Sequence, residues 1–239
     1  MARSRHSLPD WLPRAVIFDM DGTMFDSESV DRDVWREAIS RRGLPFDDDF
    51  CRSLIGLREL ETDAAFIARY GEDFDIRALR ADVAVLWDEV MHANGLPVKP
   101  GLLELLDLID RIGIAKAVAT STVRTRANVR LGSLLGRFPI IVCGDEVAYA
   151  KPAPDLYLEA AARLRLPAHE CLAIEDSPVG MTAARRAGMH VIVVPDLIDS
   201  PEDARYVCTS LHDVTAWLSG RIFATHNVAS AGGQEDSEL

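Results

Sequence analysis

At 239 residues with 48% apolar side chains, the chain can bury a sizeable core, with room for one domain and an insertion. Its net charge of -12 and pI near 4.9 argue against a nucleic-acid or anionic-membrane surface, because phosphate backbones and headgroups select basic patches. A small phosphorylated ligand is not excluded, since it needs only local positive charge.

The first element is a short apolar run, Ala15 to Phe18, which reads as a buried strand ending at Asp19-Met20-Asp21-Gly22-Thr23. Asp31 to Arg42 reads as an amphipathic helix stopped by Gly43-Leu44-Pro45. Asp49 to Ile55, Glu59 to Tyr70 and Ile76 to Ala93 read as three further helices with no strand pattern between them. A Pro/Gly-rich link around Gly95 to Gly101 then returns the chain to strand and helix alternation.

In that second part, Leu102 to Ile112 is a predicted helix, and Ile114 to Ala119 a strand ending at Thr120-Ser121. Arg124 to Leu135 (helix) and Pro139 to Cys143 (strand) follow, and Lys151-Pro152-Ala153-Pro154 precedes a helix from Asp155 to Leu164. Glu170 to Ile174 is a strand ending at Glu175-Asp176, and Ser177-Pro178 opens a helix to Ala187. His190 to Val194 and Tyr206 to Cys208 are the last strands, Leu211 to Leu218 the last helix. Strands separated by helices predict an α/β fold, a parallel sheet covered on both faces. The expected division is a core over 14–28 and 96–220, a helical insertion over 29–95, and flexible tails over 1–13 and 221–239.

None of Cys51, Cys143, Cys171 and Cys208 sits in a C-x-x-C pair, and three lie in apolar runs, which reads as reduced thiols in a cytoplasmic protein. The scattered histidines offer no zinc motif, no apolar run approaches a membrane span, and Met1 to Pro13 lacks the apolar region of a secretory signal.

Four strand ends carry polar residues: Asp19/Asp21, Thr120/Ser121, Lys151 shortly after a strand, and Glu175/Asp176. A parallel sheet brings such ends to one edge, where ligands sit. Carboxylates crowded there repel unless a cation lies among them, and oxygen donors without His or Cys suit Mg2+. One lysine and two hydroxyls beside such a metal make a cradle for a phosphoryl group. Asp19, rigid at the strand end, suits a nucleophile towards phosphorus; Asp21, further into the loop, suits an acid/base.

Asp19-Met20-Asp21-Gly22-Thr23, the strand-end Thr120, Lys151-Pro152 and Glu175-Asp176-Ser177, in that order, resemble the four motifs of the haloacid dehalogenase-like superfamily. The resemblance spans about residues 14 to 218 and looks closest to its β-phosphoglucomutase and sugar-phosphate phosphatase branch. It implies a Rossmann-like parallel sheet with an inserted α-helical cap. It implies Asp19 as nucleophile, Asp21 as acid/base, and Thr120, Ser121 and Lys151 as phosphate contacts. It implies Mg2+ held by Asp19, the backbone carbonyl of Asp21 and Asp176, with Glu175 as an additional ligand. In the cap, Gly56 and Arg58 resemble a substrate-specificity loop; Arg58 contacts substrate there or is a solvated turn residue. Met24-Phe25 and the hydroxyl of Thr122 are further candidate contacts.

Asp21 argues against the dehalogenase branch, and the absence of lysine over residues 27 to 98 argues against a phosphonatase. The β-phosphoglucomutases typically carry a His early in the first cap helix, where Asp31 stands here, and this favours a phosphatase. The expected activity is Mg2+-dependent hydrolysis of a small phosphorylated metabolite by a monomer or weak dimer. A phosphomutase and a non-catalytic phosphate-binding module are the alternatives.

Overall fold

The computed structural model describes residues 8–54, 59–196 and 200–231. The chain divides into two compact units, with the joins after Asp26 and after Pro97.

The larger unit is built on six parallel strands in the order β3-β2-β1-β4-β5-β6: β1 Ala15–Phe18, β2 Ala115–Ala119, β3 Ile140–Val142, β4 Cys171–Glu175, β5 His190–Val193 and β6 Tyr206–Val207. All four residues of β1 and all five of β4 are buried, which is why β1 and the first four residues of β4 read as apolar runs rather than as alternation. β1 is central: Phe18 lies beside Val118 of β2 on one side and Ile174 of β4 on the other. The chain builds outward from β1 to β3, then crosses back to β4 on the other side of β1. That reversal makes the carboxyl ends of β1 and β4 the natural ligand crevice.

Alternate strand residues fill one face of the sheet. Ala15, Ile17, Ala117, Ala119, Cys171 and Ala173 form a buried cluster with Leu156, Tyr157 and Ala160 of α7 (Asp155–Leu164) and Met181, Ala183 and Ala184 of α8 (Pro178–Arg186). The small strand side chains let these helices approach closely. On the other face, α5 (Leu102–Ile112) packs against β2 and against α9 (Leu211–Ala231).

The smaller unit holds α1 (Ser27–Arg41), α2 (Asp48–Ser53), α3 (Glu59–Tyr70) and α4 (Ile76–Ala93). Its core includes Val34, Ala38 and Ile39 of α1, Phe66 of α3, and Leu79 and Leu86 of α4. Phe66 is fully buried, stacked on Trp35 at 5.1 Å and met edge-on by Phe50 at 5.2 Å. Trp87 donates to Asp31 at 2.9 Å, so this carboxylate ties α1 to α4 within the unit. Asp75 caps α4 by accepting from Ala78 N at 3.0 Å.

The structure departs from the expected elements in several places. α1 begins at Ser27, ahead of the expected start at Asp31. α6 (Arg124–Leu131) stops earlier, because Gly132 takes a positive φ of 50° and the chain continues as a 3-10 helix to Arg137. α9 runs to Ala231 instead of Leu218, so residues 221–231, expected to be a tail, are helical. Described residues of the leading segment are also packed rather than loose. Trp217 donates to Pro9 O at 3.1 Å, Arg221 pairs with Asp10, and Trp11 lies on His190 at 4.8 Å. Each end supplies partners for the other, a pairing over some 200 residues that no local pattern announces. Among the described residues no helix is long and apolar enough to cross a membrane.

Candidate active site

The site grows from the ends of β1 and β4. Asp19 N continues the strand ladder, donating to Ile174 O at 3.0 Å, so its Cα is fixed by the sheet. The next residues fold into a tight loop: Met24 N donates to Met20 O at 2.9 Å and Gly22 N to Phe25 O at 3.0 Å. Met20, Met24 and Phe25 anchor this loop in the interior, at no more than 2% exposure. Met24 and Phe25, named above as candidate contacts, are thus buried in the interior. Gly22 has φ +80°, and a Cβ there would stand 2.2 Å from Asp176 Oδ2. Only glycine lets the loop close against the end of β4 in this way.

Asp19, Glu175 and Asp176 bring one carboxylate oxygen each to within 4.8 Å of one another. Lys151 reaches into the group: its ammonium donates to Asp19 Oδ1 and, at 2.6 Å, to Glu175 Oε1. Side-chain exposure is 7% for Lys151, 10% for Asp19 and zero for Glu175. Burial, with the charges of Glu175 and Asp176, pushes the Asp19 carboxyl well above the usual carboxylate range against the pull of Lys151. Burial lowers the Lys151 pKa, but the two carboxylates outweigh it and hold the lysine firmly protonated.

Glu175 is held at both oxygens. Oε1 also accepts from Tyr157 at 2.5 Å, and Oε2 from Ser177 at 3.2 Å. Ser177 in turn caps α8 by accepting from Gly180 N at 3.1 Å. Asp176 accepts from Thr23 at 3.3 Å.

Asp21 sits beside the loop after β2, where Thr122 donates to its Oδ2 at 2.7 Å and Arg130 of α6 to its Oδ1 at 2.5 Å. Thr120 is buried, and its Oγ1 accepts from Thr122 N at 3.0 Å, which leaves its own proton to donate. Ser121 is exposed; its carbonyl lies where a Cβ on Gly144 would stand 2.2 Å away. Gly56 and Arg58 lie outside the described residues. The residues singled out in the sequence thus fall into a tight group of Asp19, Lys151, Glu175 and Asp176, and a second pairing of Asp21 with Thr122.

A second cluster, Cys143, Asp145 and Glu146, is engaged otherwise. Asp145 accepts from Arg124 N at 2.9 Å, and Glu146 pairs with Arg124 and, at 2.9 Å, with Arg163.

A family model described as "haloacid dehalogenase-like hydrolase" matches residues 13–188, the span that carries this site. The chain belongs to that hydrolase family. Protein CbbY of Cupriavidus necator is 34% identical over 221 residues, 84% of this chain and 86% of its own. A phosphorylated carbohydrates phosphatase of Thermotoga maritima is 32% identical over 185 residues, 74% of this chain and 83% of its own. Among solved structures, a mutant CbbY of Rhodobacter sphaeroides in complex with xylulose-(1,5)-bisphosphate superposes with a TM-score of 0.68 at 26% identity. The superposition covers 84% of this chain and 95% of that one.

In this haloacid dehalogenase-like hydrolase, two groups at the site belong to no sequence motif noted above. Arg130 meets Asp21 across 109 residues, and nothing in its surroundings on α6 distinguishes it from the neighbouring arginines. Tyr157 carries a weak signal: it falls on the buried side of α7, one turn after Lys151-Pro152-Ala153-Pro154, and a buried tyrosine hydroxyl needs a partner.

Proposed function

We propose that this hydrolase is a phosphatase of small phosphomonoesters, sugar phosphates in the first place, working through an aspartyl-phosphate on Asp19. The observation that carries the reading is the Lys151 ammonium seated between Asp19 and Glu175, beside Asp176. It puts a nucleophilic carboxylate and a fixed positive charge at one spot. The relatives' names support the substrate class: a phosphatase of phosphorylated carbohydrates and a CbbY that takes a sugar bisphosphate.

The donor set fits magnesium. Three clustered carboxylates against one ammonium leave an excess of negative charge, and every donor is a hard oxygen. Asp19, Asp176 and the Asp21 carbonyl would hold the ion. Both Glu175 oxygens already accept hydrogen bonds from the protein, which suits it to steadying Lys151. Magnesium, when bound, supplies the charge neutralisation that lets an anionic carboxylate approach an anionic phosphoryl group.

In the first step an Asp19 oxygen bonds to phosphorus and the bond to the leaving oxygen breaks, while Asp21 gives that oxygen a proton. Lys151 and the Thr120 hydroxyl offset the charge on the phosphoryl oxygens. In the second step water adds to phosphorus, Asp21 takes its proton, and the bond to Asp19 breaks, releasing inorganic phosphate. Both oxygens of Asp21 accept hydrogen bonds in this structure, so giving up a proton requires it to turn away from Arg130 or Thr122. The exposed Ser121 adds a second hydroxyl at the phosphate, and substrate discrimination falls to the helical unit, with Gly56 and Arg58 the residues to vary first. Four unpaired thiols support a reducing, cytoplasmic setting.

The test is phosphate release from a panel of sugar phosphates with and without Mg2+, for the wild type and Asp19→Asn. Release that needs magnesium and disappears in the variant is expected. Interconversion of sugar phosphates without release would make the protein a mutase, and tight phosphate binding without turnover would make it a binding module.

A further inference from the structure

We infer that Tyr157 is a positioning residue for Lys151, acting through Glu175 and through its own ring; this rests on the hydrolase reading above. Lys151 has three N–H donors. One is taken by Asp19 and one by Glu175, and the third meets no acceptor among the described residues. The direction of that third donor, the one left for a phosphoryl oxygen, depends on where the other two are held. Asp19 is fixed by the sheet. Glu175 is a longer side chain with more rotamers, and something must fix it.

Tyr157 does so through its hydroxyl, and its ring borders the lysine itself. Its fully buried hydroxyl donates to Glu175 Oε1, the same oxygen that accepts from Lys151. Its ring lies 5.1 Å from the Lys151 ammonium, so a face of negative potential borders the cation directly. Gly180 also closes on Glu175, since a Cβ there would stand 1.9 Å from Oε1. Ser177, at 3.2 Å, holds only the other oxygen. Without the tyrosine hydroxyl, Oε1 keeps a single donor and the carboxylate can swing, taking the ammonium with it. Tyr157 also fills the core between α7 and the sheet, so its packing and its positioning role must be separated.

Tyr157→Phe separates them: ring and volume stay, and only the hydroxyl goes. With para-nitrophenyl phosphate and Mg2+, kcat is expected to fall about tenfold or more, as for other groups that orient a site residue from behind. KM is expected to move less than about twofold, because the loss falls on the transition state. Orthovanadate, which resembles the phosphoryl transition state, is expected to inhibit the variant more weakly by a similar factor. Tyr157→Leu, which also removes the ring, is expected to lower kcat further. Urea unfolding of each variant gives the folded fraction, so that activity is counted per folded molecule. The inference is overturned if Tyr157→Phe keeps its kcat per folded molecule, if only KM changes, or if vanadate inhibition is unaltered. A wild type that releases no phosphate overturns the hydrolase reading itself, a result distinct from an unaltered variant.

Discussion

Gly22→Ala probes the contact on which the proposed metal site depends. The backbone at Gly22 has φ +80°, and an added Cβ would stand 2.2 Å from Asp176 Oδ2 and 2.8 Å from its Cγ. Ordinary contact begins near 3.4 Å, so the Asp176 carboxylate must retreat by about 1.2 Å, losing its bond from Thr23, now 3.3 Å. The left-handed backbone alone costs an alanine about 1–2 kcal/mol. Urea unfolding in EDTA, with no metal to confuse the comparison, is expected to show that loss. The functional effect is larger. A metal ligand moved by this much is expected to raise the half-saturating Mg2+ concentration for phosphate release about 10- to 100-fold, with the maximal rate at high Mg2+ less affected. A variant that loses stability but keeps its Mg2+ dependence would refute Asp176 as a ligand. A variant unchanged in both would refute the close approach of the loop to the end of β4.

Lys151→Met leaves Asp19 and Glu175 buried without their shared cation, and is expected to cost about 3–5 kcal/mol in urea unfolding besides abolishing turnover. Asp19→Asn on that background should recover part of the loss; no recovery would mean that the destabilisation is not electrostatic. His190, packed between Trp11 and Tyr206, has its pKa lowered by burial and by the charges of Arg205 and His169. Above about pH 6.5 both folded and unfolded imidazoles are neutral and the site costs nothing. As pH falls through that value the unfolded chain takes up the proton first, so stability is expected to decline until the folded imidazole also titrates. His190→Phe should remove this part of the acid slope; an identical slope in both proteins would exclude His190 as its source.

The strands were legible because a parallel sheet covered on both faces makes its inner strands short and mostly apolar, and a polar residue closing such a run marks a strand end. Asp19, Thr120 and Glu175 could be found in this way. α3, α4, α5 and α7 keep the bounds expected from their apolar spacing, since each is closed by a glycine, a proline or a change of pattern. α9 was not legible to its full length. Trp217 and Arg221 find their partners in Pro9 and Asp10, at the other end of the chain, and such pairing leaves no local trace. The same holds inside the site. Lys151 announces itself by its motif, but the Tyr157 hydroxyl on Glu175 and the Arg130 guanidinium on Asp21 do not.

By itself, then, the amino-acid sequence determined the alternation of elements, the strand ends and the kinds of group that stand at them, because these follow from local hydrophobic period and from short motifs. Tertiary structure alone decided the partners: which carboxylate shares Lys151, which oxygen of Glu175 takes the tyrosine, and that the loop at Gly22 closes on Asp176. A hydrogen bond depends on the last ångström of approach. That approach is set by how α7 and α8 pack against the sheet, and residue spacing along the chain does not encode it.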